Sequence, residues 1–257
     1  MLVASRPNCS GMTEIGTELI AAEPQVTGVH LNLNPTPGTV ILGPSTKKLA
    51  GQKRLTEEIA GIKFLVSPTS FFQTSSASAA RLVDTVLRYV PDTIAGPILD
   101  LYAGVGLFAA PLARRGHRVV AVEENPQAVE DGIETLKLNR IGGCRFLSGR
   151  VEAVLRKMAR GESFEVVILD PPRDGCPEWV LRLVARQVRP ARIIDVSCEP
   201  AALARDLALL TRCGYRVMEV QPIDMFPHTP HIESVAMLQH TTPHDAALAA
   251  RRSVHAG

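Results

Sequence analysis

The sequence predicts an α/β protein: a doubly wound, mostly parallel sheet with a small β element ahead of it. Three observations lead there. From about residue 76, helical and extended apolar patterns alternate along the chain. The extended pieces at 98–101, 119–122, 166–169 and 193–196 are almost continuously apolar, as strands covered by helices on both faces are. A glycine turn joins the first of these strands to a helix, the arrangement that places ligands at the carboxyl ends of strands.

Taken in order, residues 1–60 are rich in Gly, Pro, Thr and Asn and hold short strand-like pieces. Apolar and polar residues alternate over 29–34, which predicts a half-buried strand. The turn Pro35-Thr36-Pro37-Gly38 then returns residues 39–43 as the second arm of a hairpin. Ser76 is expected to cap a helix with Leu82, Val83, Val86 and Val90 inward. The strand at 97–102 leads through Gly104 and Gly106 into a helix ending near Ala113. After the strand 119–122, Asn125 and Pro126 form a cap and first-turn pair for a helix that turns Val129, Ile133 and Leu136 inward. Strands at 145–147, 166–169 and 193–196 alternate with helices near 151–160, 178–188 and 201–212. The last helix carries Leu203, Leu207 and Leu210 inward and stops at Gly214. Strands 215–220 and 234–239 close the sheet, and residues 240–257 show no apolar face.

Composition bounds the rest. The chain has 257 residues, 46% hydrophobic and 21% charged, enough apolar surface for a folded domain. No apolar run approaches the ~18 residues that cross a bilayer. No secretory pattern opens the chain, so a cytoplasmic protein is the default expectation; the sequence indicates no oligomeric state, and a monomer is the default. A net charge of +2 reveals no basic arm. The five cysteines have neither paired spacing nor a histidine cluster, which predicts reduced thiols and no metal site.

Four stretches carry chemistry. Asp100-Leu101-Tyr102-Ala103-Gly104-Val105-Gly106 is a nucleotide-binding turn, and Glu123 ends the next strand, where a carboxylate binds both ribose hydroxyls. The spacing alone fits either a dinucleotide or S-adenosylmethionine, and Asp100 favours the latter. Asp170-Pro171-Pro172-Arg173 is a stiff, charged turn at the end of a buried strand. Cys198 stands between a strand and a helix, where free N–H groups and the helix dipole are expected to stabilise a thiolate. Cys9, Cys144, Cys176 and Cys213 lack that context and read as structural. The polar stretch 223–233 is dense in Asp, His and Glu, and Glu233 is the member best placed to face a cleft; His228 and His231 read as loop residues.

These segments, with Ser70-Phe71-Phe72-Gln73, Ser197-Cys198-Glu199-Pro200 and Asp224-Met225-Phe226-Pro227-His228-Thr229-Pro230-His231-Ile232-Glu233, resemble the RNA uridine carbon-5 methyltransferases. The resemblance spans roughly residues 26–239 and implies a Rossmann-like class I methyltransferase fold. It divides the chain into a small β-rich element at 1–66, a methyltransferase domain at 67–240 and a tail at 241–257. It further implies S-adenosyl-L-methionine as cofactor, an rRNA or tRNA substrate, and 5-methyluridine as product. By motif, Gln73, Tyr102, Gly104, Gly106, Glu123 and Asp170 would contact the cofactor. Cys198 would be the nucleophile and Glu233 the base. Family members commonly carry an RNA-binding β-barrel, and some a four-cysteine iron–sulfur site; neither pattern occurs in these residues. Thr74-Ser75 follows Phe72-Gln73 where the family usually has Val-Asn, and Leu107 stands where some relatives have Asn. Two alternatives stay open at this level: an RNA cytosine carbon-5 methyltransferase, which also uses a cysteine adduct, and a non-catalytic RNA-binding scaffold of the same fold.

Overall fold

The computed structural model describes residues 1–6, 11–36, 41–158, 162–225, 228–229 and 232–241. Expectations that fall on Cys9, Thr39, Val40, His231 and the tail from 242 lie outside them.

Seven strands form the main sheet: β6 (Ile98–Leu101), β7 (Val119–Glu123), β8 (Cys144–Ser148), β9 (Val166–Leu169), β10 (Arg192–Ser197), β11 (Tyr215–Ile223) and β12 (Glu233–His240). Their order is β11-β12-β10-β9-β6-β7-β8. β10, β9, β6, β7 and β8 run parallel, while β12 pairs antiparallel with β10 and with β11. The first strand in sequence, β6, lies between β7 and β9, so the winding direction reverses at the β6–β9 junction. Open α/β sheets bind ligands in the crevice at such a point, beyond the carboxyl ends of the strands.

The strand periodicity of two divides the apolar residues between two layers. Ile98, Val119, Ala121, Val166, Ile168 and Ile194 pack with α2 (Ser76–Tyr89), α3 (Ala109–Arg114) and α4 (Pro126–Leu138). Leu99, Leu101, Val120, Val167, Leu169 and Ile193 pack with α5 (Val151–Met158), α6 (Glu178–Leu183) and α7 (Pro200–Arg212). Both faces are covered, which is why these strands read as continuous apolar runs. Ahead of them lie a three-stranded sheet, β1 (Leu2–Ala4), β2 (Gly28–Leu33) and β3 (Ser45–Gly51), and a hairpin, β4 (Leu55–Ile59) and β5 (Ile62–Val66). Ile59, Ile62, Phe64 and Val66 of that hairpin join the α2–α4 layer.

The structure corrects several local expectations. A helix absent from the sequence reading, α1 (Met12–Ala22), covers β2 and β3. The partner of β2 is 45–51 rather than 39–43, because side chains of β2 tie the intervening loop down. Asn32 Nδ2 donates to the Gly43 carbonyl at 2.9 Å and Asn32 Oδ1 accepts from Gly43 N–H at 2.7 Å. β2 is also buried on both faces, His30 and Asn32 included. Ser75, not Ser76, caps α2, its hydroxyl accepting from Ser78 N–H at 3.3 Å. Ile133 is exposed because α4 turns Asp131 and Thr135 inward instead. The helix expected over 178–188 becomes α6 followed by a wider π-helical turn, Val184–Val188.

Candidate active site

Loops from four parallel strands meet at the carboxyl edge of the sheet. After β6 the backbone enters the left-handed region three times, at Tyr102 (φ 63), Gly104 (φ 55) and Gly106 (φ 89). A tyrosine there is conformationally strained, whereas glycine is not. A Cβ on Gly106 would lie 2.9 Å from the ring of Phe146, and above Gly104 there is open space. The turn is held by its neighbour strand: Gly104 N–H donates to Glu123 Oε2 at 2.9 Å, and Asn125 N–H donates to Glu123 Oε1 at 2.8 Å. The carboxylate predicted for a ribose therefore also organises the glycine turn. Below it, Asp100 is fully buried, with the Ala109 N–H as a donor close to its carboxyl. Burial pushes its carboxyl up to about 7, the Ala109 N–H opposing and Glu123 adding to the rise. The Tyr102 ring packs into the α5–α7 layer, and burial raises its phenol, with the Cys176 thiol nearby.

β9 ends in Asp170, whose N–H reaches the Leu101 carbonyl at 3.4 Å and so joins the Asp-Pro-Pro turn to the end of β6. The far side of the turn is clamped by α7. Cys176 N–H donates to Asp206 Oδ2 at 2.9 Å, and Arg205 Nη2 donates to the Asp174 carbonyl at 2.8 Å. Asp206 was missed in the sequence, although its place between Leu203 and Leu210 on an inward stripe is a readable signal. The Asp170 carboxyl is pushed well above the ordinary range by burial, then by Glu233, Asp100 and Asp195.

The antiparallel pairing of β10 with β12 ends at Ser197 opposite Ser234. Cys198 and Glu233 are the residues next to that pair: Cys198 lies in the bend that leaves β10, close enough for the Glu233 charge to act on its thiol. Glu233 is 5% exposed, and burial pushes its carboxyl up to about 7. The Cys198 thiol is also pushed up: first by burial, then by Glu233, with Asp170 adding and Arg173 opposing. This reverses the expected thiolate stabilisation by the helix terminus. Burial and the Glu233 charge outweigh it, and α7 is itself capped by Glu199, whose carboxylate accepts from Ala201 N–H at 3.4 Å. The cap occupies the helix end, and Cys198 precedes it.

The structure thus brings Asp170, Arg173, Cys198 and Glu233 into one electrostatic neighbourhood. Glu123, Gly104 and Asp100 form a second group beside them. Gln73 lies partly buried on the segment leading into α2. His228 is exposed, with φ 67. Among the described residues, no group of three or more His, Cys, Asp or Glu is placed to hold a metal ion, and no helix is long and apolar enough to cross a membrane.

Comparison with known proteins adds independent findings. Residues 52–241 match the model of a family described as tRNA (uracil-5-)-methyltransferase. An uncharacterized RNA methyltransferase of Geobacter sulfurreducens is 40% identical over 252 residues, covering 96% of this chain and 50% of the relative. Another from Caldanaerobacter subterraneus is 37% identical and covers 84% of this chain and 48% of the relative. The chain therefore spans about half the length of the curated relatives it matches. The Pyrococcus abyssi tRNA (uracil-54, C5)-methyltransferase, solved in complex with S-adenosyl-L-homocysteine, superposes with a TM-score of 0.70 at 33% identity. That match covers 82% of this chain and 50% of the other. Trm5b from the same organism, at 17% identity and TM-score 0.58, shares the fold alone, over 93% of this chain and 72% of its own.

Proposed function

Because the chain belongs to the tRNA (uracil-5-)-methyltransferase family, we propose that it transfers a methyl group from S-adenosyl-L-methionine to carbon 5 of a uridine in rRNA or tRNA. Cys198 is the nucleophile in this reading and Glu233 the base. The observation that supports it is the end of the β10–β12 ladder at Ser197 and Ser234, from which Cys198 and the buried Glu233 are each the next residue, at the carboxyl edge of the sheet.

The residues at the β6–β7 ends suit the cofactor. Gly104 leaves open space for a ligand against the backbone, Glu123 stands at the adjacent strand end, and Asp100 offers a buried carboxyl beneath the turn. Gln73, Tyr102, Gly104, Gly106, Glu123 and Asp170 would hold it. When bound, it supplies an electrophilic methyl on a sulfonium. Residues 67–240 are the methyltransferase domain in this reading, with 1–66 a small β-rich element.

Uracil carbon 5 is a weak nucleophile and needs covalent help. The Cys198 thiol releases its proton to solvent, and the thiolate sulfur adds to carbon 6, leaving an enolate that is nucleophilic at carbon 5. Arg173 is the nearby cation that favours the thiolate. After methylation, Glu233 removes the carbon-5 proton and the electron pair expels the Cys198 sulfur, restoring the aromatic ring system of the base. A carboxyl titrating at about 7 is matched to that task near neutrality. Duplex or stacked RNA must present the uridine flipped out to reach these groups.

The test separates the two residues by the step at which each variant stalls. Glu233→Gln still adds Cys198 and still methylates, so a covalent, methylated adduct accumulates on ordinary uridine RNA. Cys198→Ala gives none, and the double variant matches Cys198→Ala. Normal turnover by Glu233→Gln would remove Glu233 from the mechanism.

A further inference from the structure

The α4 helix serves as a neighbouring strand for the free edge of β5. β5 pairs with β4 on one side, and its other edge is met by side chains of α4 and of its C-cap Asn139, spaced four residues apart. Lys63 N–H donates to Asn139 Oδ1 at 3.0 Å, and Asn139 Nδ2 donates to the Lys63 carbonyl at 2.8 Å. Leu65 N–H donates to Thr135 Oγ1 at 2.9 Å, and Ser67 N–H to Asp131 Oδ2 at 2.7 Å. Four helical residues advance about 6 Å and two strand residues about 6.6 Å, so the rungs stay in step.

Beyond the strand, the ladder continues into a loop. The Ser67 and Ser70 hydroxyls donate to Asp131 at 2.8 and 2.7 Å, and Arg54 Nε to Asp131 Oδ1 at 2.6 Å. Asn125 Nδ2 donates to the Thr69 carbonyl at 3.0 Å, while Asn125 N–H is the group held by Glu123. Asp131 is fully buried, so its charge is met by these donors and not by solvent. Residues 67–70 are thereby docked on the end of α4 that adjoins the glycine turn, three residues before Gln73.

We propose that Asp131 and Ser70 are positioning residues for the cofactor: by docking residues 67–70 on α4 they hold the Phe71–Gln73 segment against the Glu123 end of β7. This rests on the reading that Gln73 and Glu123 bind S-adenosylmethionine. The upper rungs at Thr135 and Asn139 hold the hairpin and have no part in that placement.

The experiment measures S-adenosyl-L-homocysteine binding by calorimetry and amide exchange of residues 69–73, using the whole chain. Ser70→Ala is expected to weaken binding about threefold or more and Asp131→Asn about tenfold or more, both with faster exchange at 69–73. Thr135→Val removes a distal rung; it lowers the melting temperature but leaves affinity within about twofold. If Asp131→Asn fails to fold, Ser70→Ala decides. Wild-type affinity and exchange in Ser70→Ala would overturn the proposal, as would an equal affinity loss in Thr135→Val. Gln73→Ala keeps the two ideas apart. If it weakens binding while Ser70→Ala does not, the ladder inference alone fails; if it binds like wild type, the cofactor reading falls and the positioning role with it.

Discussion

Replacing Glu233 by Gln should stabilise the protein at alkaline pH, by an amount the burial of this carboxyl sets. Its titration point rises from 4.5 to about 7, and at about 1.36 kcal/mol per decade this is roughly 3 kcal/mol. The sign follows from proton linkage. Below the lower value the group is protonated in both states and the strain is absent. Between the two values the unfolded chain releases the proton while the folded chain keeps it, so stability falls as pH rises. Above about 7 the full penalty is present. Gln mimics the neutral form and removes the slope. In urea titrations of RNA-free protein, the advantage of Glu233→Gln over wild type should grow by roughly 2–3 kcal/mol between about pH 5 and about pH 8.5. Asp170, itself held up partly by Glu233, shifts in the same sense. An advantage independent of pH would refute the reasoning, as would a less stable variant at the higher pH.

Two further predictions concern the glycine turn. Glu123→Ala loses charge-assisted hydrogen bonds and should weaken S-adenosylmethionine binding by about 1.5–3 kcal/mol, roughly tenfold to hundredfold in a calorimetric titration. Unchanged binding would move the ribose site elsewhere, and tight NAD binding by the wild type would favour the dinucleotide reading of the loop. Gly106→Ala combines an unfavourable φ of 89° with a Cβ 2.9 Å from the Phe146 ring, and should lose about 1–3 kcal/mol in a urea melt. Gly104→Ala has open space and bears only the backbone term, about 1 kcal/mol. Equal losses would contradict the packing argument.

What was legible in the sequence was local. The β9 run ending at Asp170 and the Asn125-Pro126 cap depend on neighbours within a few residues, and both lie where their patterns indicate. The helix α1 escaped although Met12, Ile15, Leu19 and Ile20 recur at helical spacing; the residue it buries is Gly16, against Leu49, Ala50 and Val29, and a glycine offers no apolar side chain to read. The second arm of the first hairpin escaped because Asn32 anchors Gly43 through side-chain bonds that no alternation pattern encodes. Ile133 was misassigned because α4 buries a polar stripe, Asp131 and Thr135, whose partners lie 64 and 70 residues away in sequence. At the site itself, chain position and resemblance singled out Cys198 and Glu233 separately, as candidates. Their proximity at the end of the β10–β12 ladder, and the part Glu233 adds to the upward push of burial on the thiol, arise only from the sheet pairing.

The central claim, that Cys198 attacks the uracil ring, is tested most directly by trapping on RNA containing 5-fluorouridine. The fluorine cannot leave as a proton, so elimination is blocked after methyl transfer. With S-adenosylmethionine present, a complex should survive denaturation, and mass spectrometry of its digest should place the methylated nucleotide on the peptide containing Cys198. A complex that persists in Cys198→Ala, or a nucleotide mapped to any other residue, would contradict the account.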